Sequence, residues 1–160
     1  MKMQTKIPEL LSPAGSPVKL RAALRFGADA VYAAGKRFGM RAAADNFTEE
    51  ELKEAVKYAH SIGKKVYVAV NIMPHDDQYA ELEQYLEALG TMGVDAVICA
   101  DLGVITLTRQ VLPDVPIHVS TQACVTNARA AEAYLRLGCR RVILARELTL
   151  AEIKELRRRC

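Results

Sequence analysis

The stretch "GADAVYAA" (Gly27–Ala34) returns as "GVDAVICA" (Gly93–Ala100) and "GCRRVILA" (Gly138–Ala145), and in looser form as "GKKVYVAV" (Gly63–Val70). Each copy opens with glycine after an amphipathic run and continues into a β-rich run. Glycine in that place caps a helix, because it adopts the left-handed backbone that the cap requires. Each phrase therefore marks the end of a helix and the start of a strand.

Working outward, the segments before these glycines carry helix starts. "SPVKLRAALRFG" has Ser16 as N-cap and Pro17 at the first helical position. "TEEELKEAVKYAHSIG" opens with the capping box Thr48 and Glu51, and sets Leu52, Ala55, Val56 and Ala59 on one face. "DDQYAELEQYLEALGTMG" repeats the spacing with Tyr79, Leu82, Leu86 and Leu89, and Asp77 is its expected cap. Three more helices fit "LGVITLTRQVL", "NARAAEAYLRLG" with Asn127 as cap, and "TLAEIKELRRRC" with the box Thr149 and Glu152. The strands are "PELLSPA", "ADAVYAA", "KKVYVAVNI", "VDAVICAD", "VPIHVST" and "RRVILARE".

Strand and helix alternate six times, which implies a parallel sheet with right-handed crossovers. The fold expected is α/β, a partial TIM-like (β/α) barrel with six βα units of the eight that close such a barrel. A doubly wound sheet is the competing arrangement, but "SPAGSP" stands where a dinucleotide-binding fingerprint would. Residues 1–160 read as one domain, the N-terminal portion of a barrel. Its first and last strands would be open edges, so self-association through them is expected.

Composition agrees with a globular chain: 51% apolar, 26% charged, net charge +3, no Trp. The cysteines at 99, 124, 139 and 160 show neither zinc nor ferredoxin spacing and read as reduced thiols. "MKMQTKIPELL" lacks a signal-peptide core, and no apolar run reaches the roughly 18 residues of a membrane span. A cytoplasmic protein with no membrane partner is expected.

Strand alternation sorts the side chains. His118, Ser120 and Gln122 share one face of the fifth strand, and Tyr67, Ala69 and Asn71 share the inner face of the third. Glu9 and Leu11 alternate with Leu10 and Ser12, and Ile143 and Glu147 with Leu144 and Arg146. The barrel interior is therefore more polar than one packed with Val, Ile and Leu. Ser120, Gln122, Asn71 and Glu147 fall at strand carboxyl ends, where active sites of this fold gather. His118, lower in its strand, reads as a satisfied core histidine. In "GKRFGMRAAADNF", Lys36, Arg37 and Arg41 either clamp an anion or are solvated, the two readings being even. Metal binding at His75, Asp76 and Asp77 is disfavoured against a helix cap, and His60 reads as a partner of its helix dipole. Ser120 near His118 is a nucleophile–base pair without a third member.

"PELLSPAGS", "GADAVYAAGKRFGMRA", "AHSIGKKVYVAVNIMPHDD", "HVSTQACVTN" and "RVILARELTLAEI" together resemble the collagenase-like peptidase family U32, from about Pro8 onward. "VNIMPH" is similar to the branch that acts in tRNA hydroxylation. The resemblance implies two chemistries: hydroxylation of RNA (a tRNA uridine), and proteolysis. A non-catalytic scaffold or subunit is the third reading. Carried over by position, the matching residues are Glu9, Ser12, Gly15, Arg41, Asn46, Asn71, His75, Ser120, Gln122, Arg146 and Glu147. Ser120 and Glu147 are the catalytic candidates; the others apart from Gly15, with Lys36 and Arg37, are candidates for holding an RNA or peptide substrate. The hydroxylating relatives imply a 4Fe-4S cluster, but its cysteine-rich signature is missing from this sequence. No cofactor is expected on this chain, and activity of these residues alone is not expected.

Overall fold

The computed structural model describes residues 7–40 and 46–160. The elements run β1 (Leu11–Pro13), α1 (Pro17–Arg25), β2 (Ala30–Ala34), α2 (Glu49–Ser61), β3 (Lys65–Ala69), α3 (Tyr79–Met92), β4 (Ala96–Cys99), α4 (Leu102–Val111), β5 (Ile117–Val119), α5 (Ala128–Arg136), β6 (Arg141–Val142) and α6 (Leu150–Arg159). Short 3-10 turns occupy Asp76–Gln78 and Thr121–Ala123. The sheet has six strands in the order β1-β2-β3-β4-β5-β6, every pair parallel. This is a curled half-barrel with helices on its outer side.

The repeated glycines do what their placement required. Gly27, Gly63, Gly93 and Gly138 all have positive φ, between 68° and 102°. The aspartate two residues after the first and third of them adds a second device. Asp29 accepts from the Leu10 N–H at 3.0 Å, and Asp95 accepts from the Val66 N–H at 2.8 Å. Each carboxylate thus pins the amino end of the preceding strand.

The main core lies between sheet and helices. Val31, Val66, Val68, Val97 and Val119 face Leu52, Val56, Leu82, Leu86, Leu89 and Ile105, and all of these are buried. Each such side chain contributes on the order of 2 kcal/mol. A second, smaller cluster fills the concave side: Ala30, Tyr67, Ala96 and Ile98, with Leu11, Ala69 and Ile143 against them.

The capping residues Ser16, Thr48, Asn127 and Thr149 act as expected, with both boxes formed. Three local expectations are corrected. Asp77 is not a cap; it lies inside the 3-10 turn, whose entry is tied by the His75 N–H donating to Gln78 Oε1 at 2.9 Å. His60 pairs with the Asp95 carboxylate at 2.9 Å rather than serving only the helix end. The sixth strand stops at Val142, and Arg146 and Glu147 sit in a turn, so alternation does not reach them. The chain leaves the sheet early there because residue 145 turns to bond the Val125 carbonyl at 3.0 Å.

Candidate functional site at the carboxyl ends of the strands

Parallel pairing brings the loops after β2, β3, β5 and β6 to one rim, where Lys36, Arg37, Asn71, His75, Ser120, Gln122, Arg146 and Glu147 lie. Two of them meet directly. The Asn71 Nδ2 amide donates to Gln122 Oε1, linking the segments that follow β3 and β5. Asn71 Oδ1 in turn accepts from the Met40 N–H at 3.2 Å, which ties in the loop after β2. Ser120 is buried, and its Oγ accepts from the Gln122 N–H at 3.3 Å. Gln122 is carried by the 3-10 turn and not by the strand itself, which is how it reaches Asn71.

The basic loop is less available than its charge suggested. Arg37 is paired with Glu49 at 2.9 Å, and its guanidinium lies 5.8 Å from both the Phe38 and Tyr85 rings. Phe38 adopts a left-handed φ of 61°, and its ring packs 5.4 Å from that of Tyr85. Gly35 permits this approach, since any side chain there would collide with the Tyr85 hydroxyl. Burial, then the Glu49 charge, push that phenol up to about 12. Lys36 and Arg146 remain exposed, as does Glu147. Asn46 is half-buried beside the buried Phe47, and Arg41 lies outside the described residues. His75 is exposed as well.

Two residues grouped with the rim by position stand elsewhere. Ser12 pairs in register with Val31, a residue of the outer core, so it faces the helices. Glu9 precedes β1 and closes the amino end of the half-barrel. There it accepts from Tyr67 Oη at 2.9 Å and from Arg141 at 2.7 Å, with Lys65 at 3.9 Å. Burial would raise its carboxyl, but the Arg141 and Tyr67 hydrogen bonds outweigh it and hold the group below its ordinary value. Burial and the Glu9 partner push Tyr67 up to about 12.

His118 differs from expectation most. It is 4% exposed and its ring sits edge-on to Tyr67, centroids 4.7 Å apart. Its Nδ1 is buried without a hydrogen-bond partner among the described residues. It is therefore a core histidine but not a satisfied one. Burial, reinforced by the Arg141 charge, brings it down to about 4, so the ring is neutral at pH 7. No hydrogen bond joins it to Ser120 among the described residues. Alternation flagged Tyr67 as inward-facing, and Arg141 shares the inner parity of Ile143. Neither signal revealed that they form one cluster with Glu9 and His118.

The thiols do not converge. Cys99 and Cys139 are buried between sheet and helices, and Cys124 and Cys160 are exposed on a turn and a helix end. Burial pushes Cys99 up to about 12, which makes it unreactive. Among the described residues no three His, Cys, Asp or Glu side chains gather as a metal site. These residues do not fit an iron–sulfur cluster. No helix among the described residues is long and apolar enough to cross a membrane.

The profile of Peptidase family U32 matches residues 15–160. The chain belongs to peptidase family U32. It is 45% identical over 153 residues to a tRNA hydroxylation protein of Bacillus subtilis, covering 96% of this chain and 36% of that protein. An uncharacterized protease of Methanocaldococcus jannaschii is also 45% identical, over 93% of this chain and 36% of its own length. The 23S rRNA 5-hydroxycytidine synthase of Escherichia coli is 36% identical over 92% of this chain and 22% of its own. The chain thus spans about a third or less of these U32 relatives. The solved U32 peptidase Mk0906 superposes with a TM-score of 0.78 at 19% identity, over 100% of this chain and 68% of that one. That likeness is one of fold.

Proposed function

We propose that this chain is the barrel portion of a cytoplasmic enzyme that hydroxylates a pyrimidine in RNA, tRNA being the favoured substrate, and that its carboxyl-end rim meets the RNA. The observation that carries the reading is the 45% identity to a tRNA hydroxylation protein across nearly the whole chain. The named product of the ribosomal RNA relative, a hydroxycytidine, supplies the pyrimidine. Exposed Lys36 and Arg146 are suited to phosphates, and Asn71, Ser120 and Gln122 to hydrogen bonding. An iron–sulfur cluster serving such chemistry would take its ligands from beyond these residues.

Peptide cleavage is the alternative that the family name and the archaeal protease support. Its geometry is weaker, because Ser120 has no hydrogen-bonded base among the described residues and Glu147 is exposed in a turn. Mass spectrometry of tRNA nucleosides from cells lacking the gene tests the choice. Loss of a pyrimidine one oxygen heavier than its parent, restored by the gene, is expected. An unchanged nucleoside profile alongside lost peptidase activity overturns the hydroxylation reading.

A further inference from the structure

Above the row of Leu11, Ala30 and Lys65, three further rows of inward-facing residues cross the sheet by register. The first of these runs through Tyr32, Tyr67 and Ala96. The next runs through Ala34, Ala69, Ile98 and His118. Continuing the same pairing one step further places Asn71, Ala100 and Ser120 in the top row. Barrels of this kind normally fill these layers with branched side chains. Here alanines stand at 34, 69, 96 and 100, and Ile98, between Ala69 and His118, is the one branched side chain among them.

His118 lies on that same inner face, almost wholly buried, with Nδ1 unpartnered. Leaving such a nitrogen without a partner is destabilising, because its desolvation is not compensated. Tyr67 cannot relieve it, because its hydroxyl is committed to Glu9. Buried polar atoms of this kind call for a group from outside the protein.

We propose that the alanine-lined inner face above Tyr67 seats one unstacked pyrimidine base, with the His118 imidazole as the hydrogen-bonding group in its floor. The inference rests on the reading of this chain as RNA-binding and names the part of the RNA that enters. A neutral imidazole offers one donor and one acceptor, and the pyrimidine edge alternates the same two functions. The aromatic floor and methyl walls suit the faces of a base turned out of its stack. The linked amides of Asn71 and Gln122, with the Ser120 hydroxyl, lie above His118, toward the rim from which the base would enter.

The test uses the chain with 15N-labelled histidine. Cytidine 5′-monophosphate is titrated to millimolar concentration, and ribose 5-phosphate is titrated separately. The His118 ring nitrogens should move with the nucleotide and stay still with the sugar phosphate. Affinity for the nucleotide should fall about tenfold or more in His118→Leu. Ala69→Leu, which fills the seat without touching the imidazole, should do the same while keeping a folded amide spectrum. Unmoved His118 nitrogens, or unchanged affinity in both variants, overturn the proposal. A tRNA transcript that binds while His118 stays silent removes the seat and leaves the RNA reading. A His118 response to the nucleotide with no RNA binding keeps the seat and removes that reading.

Discussion

Glu9 and Arg141 meet at 2.7 Å although 132 positions separate them in the chain. Their pairing ties the segment before β1 to the start of β6 and holds the amino end of the half-barrel closed. Tyr67 and Lys65 complete the cluster. Replacing Arg141 by Met leaves the Glu9 carboxylate half-buried with weaker partners. The expected loss is about 2 kcal/mol at pH 7, read by urea unfolding. Because the Glu9 carboxyl is depressed, its contribution is present above its ordinary value of 4.5 and fades as pH falls below it. The wild type and Arg141→Met should therefore converge in strong acid, and an unchanged gap would contradict the assignment.

His118 imposes a separate pH dependence. Its folded value of about 4 lies below the ordinary 6.5, so the unfolded chain binds the proton more readily between those values. Stability is complete above 6.5 and declines as pH falls toward 4, by about 3 kcal/mol in all. His118→Leu should flatten this part of the profile. A wild-type profile already flat between pH 7 and 4.5 would show that the ring is not held neutral by burial.

Gly93 has a φ of 75° and open space where a side chain would go. Gly93→Ala should cost about 1 kcal/mol through backbone conformation alone. No measurable loss in thermal or urea unfolding would mean that the left-handed turn is not required there.

The outer edges of β1 and β6 end the sheet order without strand partners among the described residues. Exposed parallel edges favour pairing with another chain. Sedimentation velocity of the 160-residue chain should show concentration-dependent dimers or larger species. A single monomeric boundary at high concentration would contradict this.

Much of this architecture is legible in the amino-acid sequence. The four glycines and the side-chain caps are local chemistry; with the apolar run of α4, which has neither a closing glycine nor a cap read from sequence, they placed the helices and the β-then-α order. Alternation separated Val66, Val68 and Val70 from Tyr67 and Ala69 because the register of a buried parallel strand leaves no choice. The site was less legible, for three physical reasons. Glu9 shares the parity of an inward-facing residue, but parity does not say which end of the barrel it closes. Gln122 kept its inward direction through a turn that strand counting cannot see. The charge of Arg37 is visible in sequence, whereas its neutralisation by Glu49 depends on how α2 docks. His118 was hardest, since whether a buried ring nitrogen finds a partner depends on atoms from three strands.

The central claim is that the carboxyl-end rim, and not the amino end, contacts RNA. Fluorescence anisotropy with a labelled tRNA transcript at fixed salt tests it most directly, comparing Lys36→Ala/Arg146→Ala at the rim with Lys65→Ala at the amino end. The account predicts that the rim pair weakens binding about tenfold and lowers the salt dependence, while the Lys65 change leaves both intact. Equal weakening by Lys65→Ala, or full binding by the rim pair, would contradict it.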